Sequence, residues 1–259
     1  MLLYAPNAPH QPATPLISDD QTQLLNLAPF RPPSYNEADV SDKPEWLQNK
    51  VFDAQTAQMV DTFRRDQLLT LLELDRTNAK IFDEMKKNGQ LDNTVIIYLS
   101  DNGVLWGEHR IDTNKNSFYE EAAKVPFAMR YPPLIPKPYV EKRLIANIDI
   151  APTLLQLAGL HIPSNMDGAS WVNLFNGGPW RDSLLLEGWP PRGTYSAVHT
   201  DRYIYSETVG DKSEFYDLQA DPFELQNQVD NPAFQSIIQD LQQRLHKLQK
   251  QNGNPSVTP

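Results

Sequence analysis

The chain has 259 residues, enough for one large domain or for a medium domain with a small one. Its formal net charge of -10 makes nucleic acid and anionic membrane poor partners for the surface as a whole, although it allows a local cationic pocket. The chain contains no cysteine, which excludes disulfides and thiolate metal sites. Its apolar runs are too short to span a bilayer, so we expect a soluble chain with no membrane partner.

The N-terminal part divides into a loop region and a long helix. Residues 5–57 are rich in proline and polar residues, which indicates ordered loop. Residues 57–88 instead carry apolar side chains at helical spacing and end with two lysines, Asn88 and Gly89, a pattern typical of a helix C-terminus. We predict one long helix. Its apolar stripe comprises Val60, Phe63, Leu68, Leu71, Leu72, Ala79, Phe82 and Met85, with Asp75 at its edge.

The segment "TVIIYLS", residues 94–100, is β-branched and apolar without alternation. This pattern predicts a strand buried on both faces, as in a parallel sheet covered by helices, and the helix-then-strand order favours a doubly wound α/β body. Ligands of such sheets bind beyond the carboxyl ends of the strands, where Asp101, Asn102 and Gly103 follow. A carboxylate and an amide oxygen suit calcium or magnesium, and Gly103 would let the backbone turn so that they converge. The tripeptide is also a common turn, so the pair alone leaves both interpretations open.

The remaining elements indicate two parts. "VPFAMRY" predicts a strand, and "IDIAPTLLQLAGL" predicts a helix with Pro152 in its first turn and Gly159 after its end. Beyond "FNGGPWRD" we predict four short strands, with a tight turn at Thr200 and Asp201, and a final helix whose apolar stripe packs into the core. We therefore divide the chain into residues 1–178 and a small antiparallel α+β C-terminal subdomain, residues 179–259.

Several motifs, taken in order, resemble the sulfatase family of the alkaline phosphatase superfamily, and its glucosamine-6-sulfatase-like members in particular. The resemblance implies an α/β, alkaline-phosphatase-like sheet with flanking helices, of which residues 1–178 would be the C-terminal portion of the catalytic domain. The matching segments are "LYAPNAPHQP", "PSYNEADVSDKPEWL", "LDNTVIIYLSDNG", "GEH", "FYEEAAKVPF", "ANIDIAPTLLQLAGL", "MDGASW" and "YDLQADPFELQN".

The resemblance also implies roles for single residues. Asp101 and Asn102 match half of the family's Ca²⁺ site, Lys115 matches a lysine that contacts the sulfate group, and His10 matches a histidine beside the sulfate or the leaving oxygen. Fixed cations there would stabilise the negative charge that builds on the ester oxygens. His109 lies in "GEH", and we expect it to be structural or to support the site rather than to act directly.

Two features of the family pattern are missing. Sulfatases attack with a formylglycine nucleophile made from Cys or Ser in a Cys/Ser-x-Pro-Ser-Arg motif, and this motif does not occur here. The adjacent Asp-Asp pair that normally lies near the family's N-terminus, ahead of the segments matched here, and completes the Ca²⁺ site is also missing. We therefore expect a chain that lacks the N-terminal part of a sulfatase, that is inactive alone, and that would associate with the missing N-terminal segment.

The sequence thus predicts sulfuric ester hydrolysis, on a sulfated carbohydrate or another sulfate ester, in the parent protein. One alternative is a phosphonate or phosphate ester hydrolase of the same superfamily. Another is a non-catalytic remnant that binds a ligand or a partner without turnover. The family suggests a secreted or periplasmic location.

Overall fold

A computed structural model describes residues 1–16, 26–189 and 194–251. Before residue 54 the described chain is mostly loop, as predicted, with one short helix. The helices are α1 (Glu45–Gln48), α2 (Ala54–Lys87), α3 (Glu120–Ala123), α4 (Ile150–Leu157), α5 (Val172–Phe175) and α6 (Gln235–Gln251). The strands are β1 (Ile96–Leu99), β2 (Phe127–Arg130), β3 (Ser183–Gly188), β4 (Tyr195–Thr200), β5 (Tyr203–Thr208) and β6 (Glu214–Asp217).

The long helix is confirmed as α2. Asp53 caps its N-terminus, because a carboxylate oxygen accepts a hydrogen bond of 2.8 Å from the backbone N–H of Thr56. At the other end two lysines occupy the last turn, and Gly89 takes the left-handed conformation with φ of 66°. Neither α2 nor any other helix in the described ranges combines the length and the apolarity needed to cross a membrane.

The apolar stripe of α2 is only partly covered. Val60 of the stripe and the neighbouring Leu69 are fully buried, whereas Phe82 is 42% exposed and Asp75 faces solvent. Among the described helices and strands, the one that packs most closely on α2 is the short 3-10 turn Leu91–Asn93. Periodicity shows which face a helix offers, but not whether a neighbour covers it.

The strand β1 forms an antiparallel pair with β2, in which Ile97 lies opposite Met129. The expectation of a parallel strand buried on both faces was therefore wrong for the described part of the chain. Within it β2 is the single strand beside β1, and Tyr98 and Phe127 are 45% and 36% exposed. An apolar run without alternation shows that both faces of the strand are suited to burial. Whether they are buried depends on other parts of the chain that pack on them.

The C-terminal elements are confirmed. Four strands form an antiparallel sheet in the order β3-β4-β5-β6, with a tight turn after Thr200 between β4 and β5. The helix α6 packs on this sheet through Ile238, Leu241 and Leu245, which are buried with Val198 and other residues of the strands.

A second core lies on the other side of the sheet and joins both parts of the chain. It contains Leu105 and Ile111 from the loop after β1, and Ala197, Ile204 and Tyr216 from the sheet. The division at residue 178 stays a prediction. The shared core fixes the loop after β1 against the C-terminal sheet.

We expect Leu245→Ala to lower the free energy of unfolding by ~2–5 kcal/mol, because it removes a fully buried side chain and leaves a cavity between α6 and the sheet. Urea unfolding of the protein that contains this chain measures this change. The control is Leu160→Ala, at a leucine that is 59% exposed, which should change stability by less than ~0.5 kcal/mol. Equal losses would show that α6 does not form the core described here.

Candidate active site and the network behind it

Asp101 and Asn102 follow β1 after one intervening residue, Ser100, and the chain bends at Asp101. A carboxylate oxygen of Asp101 accepts a 3.0 Å hydrogen bond from the backbone N–H of Asn102, whose side-chain N–H₂ donates to the carbonyl of Gly103 at 2.8 Å. Asp101 remains exposed and Asn102 is half-buried. The carboxylate is therefore accessible to a cation from solvent.

Gly103 serves close packing rather than the turn expected from the sequence. Its φ lies outside the left-handed region, and a Cβ atom there would come within 2.0 Å of the carbonyl oxygen of Glu121. Its N–H donates to the carbonyl of Ala122 at 2.9 Å. The absence of a side chain lets the loop after β1 lie against α3.

The buried side chain of Gln67, on α2, connects the His10 segment with the loop after β1. Its N–H₂ donates to the carbonyl of Pro9 at 3.1 Å, and its carbonyl oxygen accepts from the indole N–H of Trp106 at 2.7 Å. Pro9 precedes His10 in the chain, so one amide holds both loops to the same point of α2.

Two further hydrogen bonds link the segment that carries Lys115 to the His10 segment and to the beginning of the loop after β1. The side chain of Gln11 donates to the hydroxyl of Thr113 at 3.5 Å, and the N–H of Leu105 donates to the carbonyl of Asn114 at 2.9 Å. The side chain of Lys115 itself is exposed.

The structure therefore joins the segments that carry His10, Asp101, Asn102 and Lys115 through hydrogen bonds between their neighbours. In the described ranges, no hydrogen bond or ion pair links these four side chains to one another. The side chains of His10, Lys115 and Asp101 are all exposed. Their catalytic and metal-binding roles remain predictions.

Behind these loops lies a buried charged network centred on His109, which has no exposed surface. Its Nδ1 lies 2.7 Å from a carboxylate oxygen of Glu37, whose other oxygen lies 3.3 Å from the ammonium group of Lys43. Burial lowers the pKa of His109, so the ring is neutral at pH 7. Because the carboxylate can only accept, the ring proton lies on Nδ1 and Nε2 carries a lone pair.

Two carboxyl groups, from Glu121 and Glu224, lie near the His109 ring, and one ligand atom of each of the three residues lies within 4.8 Å of the others. Burial raises the pKa of Glu121 to about 7 and that of Glu224 well above its usual value.

Sequence reasoning missed most of this network. Glu121 and Glu224 lie inside motifs that matched the family, "FYEEAAKVPF" and "YDLQADPFELQN", so those motifs contained a usable signal. Glu37 and Lys43 likewise lie inside a matching segment, "PSYNEADVSDKPEWL". Gln67 had no such signal, because polar residues on a long helix are usually solvated.

The chain is similar to known proteins over most of its length. A family model described as "Sulfatase" matches residues 1–160, and a model described as "N-sulphoglucosamine sulphohydrolase, C-terminal" matches residues 107–251. The chain belongs to the sulfatase family. Its fold is accordingly that of the alkaline phosphatase superfamily, as the resemblance implied.

Single relatives agree with this assignment. An N-acetylglucosamine-6-O-sulfatase of Bacteroides thetaiotaomicron is 31% identical over 205 residues, which are 73% of this chain and 36% of the relative. A solved structure in complex with its substrate D-glucosamine-2-N,6-O-disulfate superposes with a TM-score of 0.68 at 29% identity, covering 76% of this chain and 42% of that one. A phosphonate monoester hydrolase of Agrobacterium radiobacter superposes with a TM-score of 0.66 at 25% identity, covering 74% and 42%. This sulfatase-family chain thus spans about a third of the length of the curated relatives it matches.

We expect Gln67→Leu to destabilise the protein by ~1–3 kcal/mol, because it leaves the carbonyl of Pro9 and the indole N–H of Trp106 without their partner. Limited proteolysis should also cut the His10 segment faster, since its anchor on α2 is lost. The control is Gln58→Leu, at an exposed position of the same helix, which should leave both stability and cleavage unchanged. If both variants behave alike, Gln67 does not anchor the loops.

Proposed function

We propose that the protein containing this chain hydrolyses sulfate esters, with a sulfated sugar as substrate. The observation that carries the proposal is the membership of the sulfatase family together with the hydrogen-bonded loops that gather His10, Asp101, Asn102 and Lys115. The sugar is inferred from relatives named as N-acetylglucosamine-6-sulfatases and from the related structure that holds a disulfated glucosamine.

In this proposal Lys115 and His10 act on the sulfate ester. The ammonium group of Lys115 is exposed at the surface of the loop and would contact a sulfate oxygen, where it stabilises the developing negative charge. His10 lies on a neighbouring segment and would stand beside the sulfate or the leaving oxygen.

Asp101 and Asn102 fit part of a Ca²⁺ site. Both offer hard oxygen donors, and the carboxylate of Asp101 is accessible, but calcium takes about six to eight oxygen ligands, so other residues must complete the shell. A bound Ca²⁺ would supply positive charge for the sulfate oxygens. The Cys/Ser-x-Pro-Ser-Arg motif is missing from the 259 residues, so no step through a formylglycine can be assigned to residues of this chain. We propose that the chain alone has no turnover.

The exposure of the β1–β2 pair supports a proposed association. Tyr98 lies opposite Ala128, the residue after Phe127, so the side chains of Tyr98 and Phe127 lie on opposite faces of the two-stranded sheet. Both large side chains are substantially exposed. Such a pair of strands favours pairing with further chain. We propose that a segment carrying the nucleophile packs against this pair of strands. A secreted or periplasmic location is proposed from the family likeness alone.

A phosphonate monoester hydrolase is the second candidate, and the related structure from Agrobacterium radiobacter favours it. Both reactions place an anionic tetrahedral group beside a metal and fixed cations, so the chain's own site residues do not separate them. Comparison of a sulfate ester with a phosphonate monoester as substrates of the intact protein decides between them. A third candidate, a remnant that binds without turnover, would show neither activity.

We expect Lys115→Ala to lower kcat/KM of the intact protein for a sulfated glucosamine by ~2–4 kcal/mol of transition-state stabilisation, the size of one oxyanion contact. The control is Lys124→Ala, at a lysine whose side chain is 77% exposed and forms an ion pair with Glu120. It should change kcat/KM little. Equal effects would remove the role proposed for Lys115, and activity only on the phosphonate would favour the second candidate.

We expect this chain alone to bind calcium with a Kd in the millimolar range or weaker, since two oxygen ligands are too few for a tight site. Isothermal titration calorimetry with Ca²⁺ measures the affinity, and Asp101→Ala should abolish any binding at this place. A micromolar Kd that is lost in Asp101→Ala would mean that residues of this chain complete the site.

A further inference from the structure

Three motifs that the proposed reaction leaves without a role meet at one buried point. His109 comes from "GEH", Glu121 from the segment leading to β2, and Glu224 from the loop after β6. His109 and Glu224 are fully buried, and Glu121 is half-buried with one buried oxygen. The three residues are distant in sequence, so the fold brings them together.

Each of the three side chains has one buried polar atom without a hydrogen-bond partner among the described residues. These atoms are His109 Nε2, Glu121 Oε2 and Glu224 Oε1. A buried polar atom without a partner is costly. One ligand atom of each residue also lies within 4.8 Å of the others, so a single bound ion would contact all three side chains.

The second polar atom of each side chain is held by a supporting group. Glu37 accepts from His109 Nδ1 at 2.7 Å, the backbone N–H of Glu120 donates to Glu224 Oε2 at 3.0 Å, and the hydroxyl of Ser34 lies 3.5 Å from Glu121 Oε1. A histidine whose Nδ1–H donates to a carboxylate presents its Nε2 lone pair, which is the arrangement found around metal-ligating histidines. The supporting contacts fix which atom each residue offers.

Charge balance favours a divalent cation as the bound ion. Burial raises the pKa of both carboxyl groups, and in the described ranges no lysine or arginine forms an ion pair with Glu121 or Glu224. A divalent cation would displace their protons and balance the two negative charges that result. The nearby ammonium of Lys43 pairs with Glu37 and Asp42 instead. Imidazole nitrogen with carboxylate oxygen suits zinc or a similar transition ion, whereas calcium prefers an all-oxygen shell.

We propose that His109, Glu121 and Glu224 bind a divalent transition-metal ion such as zinc, which ties the loop after β1 and α3 to the C-terminal sheet. In tetrahedral geometry, ligand atoms about 2.0–2.2 Å from a zinc ion lie about 3.3–3.6 Å apart. Ligand atoms at the 4.8 Å limit would therefore have to close by up to about 1.5 Å on binding. A fourth ligand would be a water molecule. This site is separate from the calcium ligands proposed at Asp101 and Asn102, and it does not depend on the proposed reaction.

Zinc titration of the intact, chelator-treated protein tests the proposal. We expect calorimetry of the wild type to show one saturable Zn²⁺ site per chain that the cluster variants lack. Zinc should also raise the Tm of the wild type by about 5 °C or more. Glu224→Gln and His109→Gln should each weaken binding at least tenfold and remove the rise in Tm. Cobalt(II) in place of zinc should give visible absorption bands in the wild type and not in Glu224→Gln.

Two controls separate this site from other histidines and from the calcium ligands. His246→Gln removes a partly exposed histidine that faces Glu207 at 3.1 Å without belonging to the cluster, and Asp101→Asn alters the proposed calcium site. Both should bind zinc as the wild type does. If a variant fails to fold, Glu121→Gln takes its place. The metal content of the wild type after reloading with zinc, measured by mass spectrometry, provides a second test that needs no variant.

Three outcomes would overturn the proposal. The first is a wild type with no saturable zinc binding. The second is binding that Glu224→Gln and His109→Gln leave unchanged. The third is a metal-independent gain of stability in Glu224→Gln, which would show that the cluster closes on a shared proton rather than on a metal ion.

Discussion

The buried ammonium group of Lys43 is the charge on which the arrangement of the loops depends. Removing a charge from water costs several kcal/mol unless hydrogen-bonding partners surround it. Lys43 finds such partners in the carboxylates of Asp42 and Glu37 and in the carbonyl of Leu225, at 3.0, 3.3 and 2.7 Å. Because Glu37 also accepts from His109, a single positive charge holds the N-terminal loop, the loop after β1 and the C-terminal part together. Removal of any one segment would leave the others with a buried, uncompensated group.

The backbone at His109 shows how firmly this network holds the loop. His109 and Arg110 both adopt left-handed conformations, with φ of 51° and 60°, although neither is glycine. Such residues cost free energy and persist only where surrounding contacts determine them. The N–H of His109 donates to the carbonyl of Ser34 at 2.7 Å, and the guanidinium of Arg110 donates to the carbonyl of Glu37. The strained residues therefore precede Lys115 in the same loop. Because buried contacts hold this backbone, the exposed side chain of Lys115 extends from a fixed part of the chain.

Local patterns predicted the fold well, and non-local contacts explain what they missed. The helices α2 and α6 and the four C-terminal strands follow from periodicity and capping, which depend on neighbouring residues only. Lys43 lies in a polar, proline-containing stretch, and its burial comes from a partner 182 positions away. The apolar run of β1 predicted a strand buried on both faces. Its burial depends on which elements pack against it, and the run itself does not specify them. The candidate site residues came from resemblance to a family, while Gln67 looked like an ordinary polar residue of a helix.

Electrostatics constrains how an acidic chain could accept a sulfated substrate. A net charge of -10 repels an anionic sugar at long range, and at physiological salt this field fades beyond about 8 Å. Attraction must therefore come from groups at contact distance, and the exposed side chains of Lys115 and His10 are the candidates for it. Asp101 lies exposed in the same group of loops and, as a bare carboxylate, would repel the sulfate. It suits an anionic substrate only as a ligand of a cation, so the charge of the site and the family resemblance lead to the same role for Asp101.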